Sequence, residues 1–133
     1  MIAIGQMFAQ LPKEIELLPE DLKSGLMELY KKEKNIRNPN LKHIAQENKS
    51  NMIWIKGNRD KSLIKKNKLY GIYGYINGDS AWFSLSDNKV YDFNHELGLF
   101  NVFYKDTGVW LAQPYKQWLK DAISRKHDSA WKE

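Results

Sequence analysis

The hydrophobic residues of this chain change their spacing near residue 50, and no other feature constrains the fold as tightly. Before that point they recur at three- and four-residue intervals, the period of one helix face. In the stretch from Leu17 to Lys34, Pro19 suits a first helical position, and Glu20 and Asp21 lie at the positive end of the helix dipole. Leu22, Leu26 and Leu29 fall on one face, and Lys31, Lys32 and Lys34 stand in the last turn, where cations are favoured. A second, short helix is expected from Pro39, with Leu41, Ile44 and Ala45 turned inward.

After that point the pattern is strand-like. Met52 to Ile55 is a short apolar run, and Leu69 to Ile76 is rich in aromatic and β-branched residues. Asn77-Gly78 supplies a hairpin signal, Ala81 to Leu85 returns as the partner, and Ser86-Asp87-Asn88 turns the chain again into Val90 to Phe93. A further hairpin is expected from Leu97–Tyr104 and Val109–Leu111, around Lys105 to Gly108. A helix from Pro114 to about Ser124 places Tyr115, Trp118, Leu119 and Ala122 on one face. The expected fold class is α+β: N-terminal helices, an antiparallel meander of five or six strands, and a C-terminal helix packed on the sheet. Its core should contain Leu22, Leu26, Leu29, Ile72, Phe83, Val90 and Leu119.

A chain of 133 residues without an internal repeat or a flexible linker reads as one domain, residues 1–133. It has no cysteine, which excludes disulfides, thiolate metal sites and cysteine nucleophiles. That absence suits a reducing compartment, the first residues do not look like a signal peptide, and no stretch is long and apolar enough for a membrane span. A cytoplasmic protein with no membrane association is the expectation.

The net charge of +5 is unevenly spread. Residues 35–69 hold nine Lys and Arg against two acids, whereas residues 70–113 hold two Lys against five acids. Such asymmetry can steer a charged partner, although a solvated basic edge gives the same pattern. The basic stretch contains Lys56, Arg59, Lys61, Lys65, Lys66 and Lys68. Nearby Trp54 and Tyr70 could stack on bases while these cations meet phosphate, which would make the segment 56–70 a nucleic-acid footprint. The plainer reading is a solvated loop between two strands, since no known nucleic-acid-binding motif accompanies it.

Groups with catalytic chemistry are sparse. His43, His95 and His127 have no partners at metal-ligand spacing, so no metal is expected. Asp92 and His95 could form an acid–base pair if both faced one cleft, but Asp92 to Glu96 reads more simply as a polar loop between strands. Gly71, Gly74 and Gly78 match no phosphate-binding loop; in an aromatic strand, glycine marks a bulge or close packing. Neither an enzyme nor a cofactor is expected.

The order of several short segments resembles the SUKH superfamily, the Smi-like and Knr-like proteins common among bacterial toxin-immunity proteins. The residues that carry the resemblance are Leu18-Pro19-Glu20-Asp21-Leu22, then Gly78-Asp79 with Trp82, Phe83 and Leu85, then Val90-Tyr91 and His95, and finally Trp118-Leu119. Two places depart from the family pattern: Lys32-Glu33-Lys34-Asn35 stands where a glycine pair often follows the first helix, and the segment 37–68 is unusually basic. The resemblance implies an α+β fold, no catalysis, and neutralisation of one cognate toxin domain by direct binding. The expected contact residues are Asp79, Asp87, Asp92, His95 and Glu96, as charged rim groups that speed association.

Overall fold

A computed structural model describes residues 11–96, 98–100 and 112–124. The chain forms α1 (Lys13–Leu17), α2 (Glu20–Glu33), α3 (Leu41–Met52) and α4 (Asn58–Asn67) before the first strand. The strands β1 (Leu69–Gly74), β2 (Ser80–Ser84), β3 (Lys89–Asn94), β4 (Leu99–Phe100) and β5 (Gln113–Pro114) follow, and α5 (Tyr115–Ser124) closes the described chain. The fold is α+β with an antiparallel sheet.

The helical half is longer than its hydrophobic period predicts. Met52 to Ile55 is not a strand: the amides of Ile53, Trp54 and Ile55 each bond back three residues, continuing α3 into tight turns. The basic stretch is not a loop either. Its only aliphatic residues inside α4 are Leu63 and Ile64, too few to announce a helix. Asp60 stands in the first turn, where the dipole favours a carboxylate, and the stretch gains its order by packing on β1.

Pro19 stands at the N-cap of α2 rather than at its first helical position, and α3 begins at Leu41 rather than at Pro39. Asn40 and His43 form a capping box at the start of α3. Asn35 adopts φ 56° just past α2, and the amide of Ile36 bonds back to the Tyr30 carbonyl. Asparagine thus does the helix-ending work that glycine does more often.

The strand order is β1-β2-β3, and the far edge of β3 is shared. β4 pairs at Phe93 and Asn94, while β5 pairs at Lys89 and Val90. The expected five- or six-stranded meander is therefore only roughly matched; most of the expected second hairpin lies outside the described residues.

Helical segments cover both faces of the sheet, so every residue of β2 is buried. Ala81 and Phe83 join the larger core with Leu22, Leu26, Leu29, Ile44, Ile72, Val90 and Trp118. Trp82 turns the other way into a second core with Ile55, Leu69, Tyr91, Phe93 and Phe100. Of the seven expected core residues, only Leu119 is half-buried; its side chain instead fills the space over Gly25, where α2 and α5 come close.

β1 lies at the edge of the sheet, and side chains occupy its outer backbone groups. Gly71 N–H donates to Asn48 Oδ1 and Gly74 N–H to Glu47 Oε1, both at 2.7 Å. The Tyr30 hydroxyl donates to the Ile72 carbonyl at 2.6 Å, and the Lys34 ammonium to that of Gly74. An exposed edge invites pairing with other chains, and these contacts remove the invitation. They also require α3 to lie close: a Cβ on Gly74 would stand 2.9 Å from Asn51 Oδ1. A bulge falls between Gly71 and Tyr73. Bulge and close packing are the two roles the sequence suggests for glycine in this strand.

Candidate functional site

The turn between β1 and β2 carries Asn77-Gly78, but its loop has three residues rather than two. Gly78 N–H donates to the Tyr75 carbonyl, and Tyr75 N–H to the Asp79 carbonyl. Only Gly78, at φ 101°, takes a positive φ in this loop. That is the geometry of a turn followed by a glycine bulge. The arrangement lifts Ile76 to the tip, where it is 81% exposed. It also brings Asp79 back beneath the turn, buried, with its amide donating to Asn77 Oδ1 at 3.0 Å.

Asp79 fastens the next loop to this turn. Its Oδ1 accepts from the backbone N–H of His95 at 3.0 Å and lies 2.8 Å from His95 Nδ1. The His95 ring packs against Gly78 and meets Trp54 edge-on, with ring centres 5.6 Å apart. Trp54 is 46% exposed, and its neighbour Ile53 is 71% exposed. Three segments distant in sequence, 52–55, 75–79 and 94–96, so converge on one corner. At its centre is an oriented carboxylate–imidazole pair; the exposed residues Ile53 and Ile76 lie on the segments that carry Trp54 and Gly78, and the exposed carboxylate of Glu96 is on the same loop as His95. Among the described residues no group of three or more His, Asp or Glu side chains could hold a metal ion.

The five expected rim residues divide on this geometry. Glu96 and Asp87 are exposed and His95 is partly buried, but Asp79 and Asp92 are buried and present no charge at the surface. Alternation along β3 explains Asp92: it pairs with Ala81 and so faces the helix-covered core. There its Oδ1 lies 3.5 Å from the Tyr75 hydroxyl, which accepts from Trp118 Nε1 at 2.9 Å. The carboxylate that His95 meets is therefore that of Asp79, not Asp92. Asp87 stands at the other end of β3, where it accepts from the Tyr91 hydroxyl at 2.6 Å and from Lys89 N–H at 3.0 Å. It does not belong to the Trp54–His95 corner.

In Asp87 burial raises the carboxyl, but bonds from Tyr91, Lys89 and Ser84 outweigh it, and the pKa sits below the usual range. Tyr91 is pushed up to about 12, first by desolvation and then by the bond to Asp87.

The basic residues Lys56, Arg59, Lys61, Lys65, Lys66 and Lys68 are all exposed, on α4 or immediately beside it. Of the two aromatic residues expected to stack, Tyr70 is buried in the larger core and Trp54 meets His95 edge-on.

Sequence reasoning missed Ile53 and Ile76 as surface groups. Ile76 looks like the last residue of a strand, and its exposure follows from the extra loop residue. Nothing in the local sequence pairs Asp79 with His95, which stand sixteen residues apart. Comparison of the chain with family models, curated proteins and solved structures returns no match. No helix among the described residues is long and apolar enough to cross a membrane.

Proposed function

We propose that this chain is a protein-binding module of the immunity kind, neutralising one cognate toxin domain by direct contact through the Trp54–His95 corner. The observation that carries the reading is the exposure of Trp54 against a pinned histidine, with exposed Ile53 and Ile76 on the same converging segments. Interface centres are built from large apolar and aromatic side chains inside a polar rim, and tryptophan is the residue type most enriched in their hot spots. The corner offers that composition, with Glu96 as a rim charge. The immunity role itself rests on the SUKH resemblance. The exposed basic residues on and beside α4 support a second reading, a nucleic-acid-binding accessory protein, through charge alone.

Co-expression with the product of the adjacent gene, followed by calorimetry and stopped-flow binding on the purified pair, tests the first reading. Rescue of growth should accompany a complex that buries roughly 1,200–2,000 Å². Trp54→Ala and Ile76→Asp should each weaken it by about tenfold or more, mainly through faster dissociation. Glu96→Lys should instead change the association rate and its salt dependence. Full protection and unchanged affinity in the Trp54→Ala, Ile76→Asp double variant would remove this corner from the interface. For the second reading, binding to duplex or single-stranded nucleic acid that survives physiological salt would be needed; simple charge contact falls steeply with salt.

A further inference from the structure

A groove of about 420 Å³ opens between α1, the end of α4 and the start of β1. None of its lining residues belongs to the Trp54–His95 corner, and the inference drawn from it is independent of the toxin-binding reading. Its walls are apolar, formed by Leu17, Ile64, Leu69 and Leu85 with Tyr70. Leu17 remains 64% exposed, so an apolar wall stands open to water. Three lysines, Lys13, Lys65 and Lys68, also line the groove, against a single carboxylate, Glu14. Lysines beside apolar walls lay their stems along the surface and keep their ammonium groups at the water boundary.

Two further observations bear on these charges. Lys68 holds φ 51° at the end of α4, a left-handed position that glycine or asparagine usually fills. Strain kept by a bulky residue at a groove points to a use for its side chain. Glu14 acts on the same space: after burial, its charge is what raises the Tyr70 hydroxyl. Glu14 therefore opposes the lysines and would repel an anion in the groove.

The size of the groove decides between classes of occupant. A volume near 420 Å³ is that of a small-molecule site, whereas a protein partner needs a far larger surface. An apolar wall with an excess of two positive charges suits a molecule with an apolar body and one anionic end. We propose that the groove between α1 and α4 binds a small amphipathic carboxylate, an aliphatic chain held against Leu17, Ile64, Leu69 and Leu85 with its carboxylate among Lys13, Lys65 and Lys68. A free fatty carboxylate and the acyl chain of an anionic lipid share this chemistry, and a volume near 420 Å³ suits one dissolved molecule.

The test is titration of the full chain with decanoate, below its micelle concentration, followed by calorimetry and by amide chemical shifts. Binding with Kd between about 10 μM and 1 mM is expected for a ligand of that size. Shifts should concentrate in α1, the end of α4 and the start of β1. Decyltrimethylammonium, with the same chain and the opposite charge, should bind at least tenfold more weakly. Lys65→Gln combined with Lys68→Gly should cost decanoate about tenfold while the melting temperature holds, since glycine relieves the left-handed position. Glu14→Gln should tighten binding about threefold, an effect of opposite sign that damage to the fold would not produce. Equal affinity for the two surfactants, shifts centred on Trp54 and Ile76, absence of decanoate binding, or association with anionic vesicles alone would each overturn the proposal.

Discussion

Asp79 and His95 are sixteen residues apart in sequence, and a single oxygen of Asp79 accepts from the backbone N–H of His95 and lies 2.8 Å from its ring Nδ1. That oxygen ties the β1–β2 turn to the loop after β3 and sets the ring on which Trp54 rests. Asp79→Ala should leave the His95 amide without its partner in a partly buried site. The expected cost is about 1–3 kcal/mol in urea unfolding. The emission of Trp54 should shift as its neighbouring ring comes loose. A variant with unchanged stability and unchanged emission would show that the turn and loop hold together without this bond.

Gly78 has two reasons to be glycine, and Gly98 has only one. Gly78 sits at φ 101°, and a Cβ there would stand 2.9 Å from the His95 ring. Gly98 sits at φ 69° with nothing within 4 Å. Gly98→Ala should therefore cost only the left-handed penalty, about 1–2 kcal/mol. Gly78→Ala should cost more, because the His95 ring must move as well. Equal losses of melting temperature in the two variants would remove the steric part of the account.

Asn48 and Glu47 close the outer edge of β1. Asn48→Ala should expose the Gly71 amide, measured as faster hydrogen exchange at that position, with a stability loss of about 1–3 kcal/mol. The unpaired edge should also promote association at high concentration. Exchange at Gly71 that stays as slow as in the parent chain would mean that the amide has another acceptor.

The bond between Tyr91 and Asp87 should be visible in the pH dependence of stability. The Asp87 carboxyl is held below its ordinary value, so its contribution is present above the unfolded pKa and is lost as pH falls through the folded one. Tyr91 is raised to about 12, so its contribution is full below about 10 and is lost as pH rises through about 12. Tyr91→Phe should flatten the stability profile at both ends, whereas a change at the alkaline end alone would show that Asp87 is held down by its other partners.

Leu26 tests the core more directly. It is fully buried in the larger cluster, and Leu26→Ala should cost about 2–5 kcal/mol. A smaller loss would show that α2 and its neighbours collapse into the space left behind.

The sequence by itself determined the elements with strong local signals. The leucine spacing of α2, the sheet-forming run from Leu69, the hairpin at Asn77-Gly78 and the apolar face of α5 all act over a few residues, so they are legible without knowledge of distant partners. The same holds for most of the expected core, because burial of Leu22, Leu26 and Leu29 follows from helical period alone. Tertiary structure decided the rest. α4 is helical although its own sequence announces only a basic stretch, because packing on β1 overrides a weak local preference. Asp79 and Asp92 look like surface charges in the sequence, but strand alternation and the return of the turn place them inside. The Trp54–His95 corner and the lysine-lined groove each join segments far apart in the chain. Their chemistry depends on distances between side chains, and only the assembled backbone sets those distances.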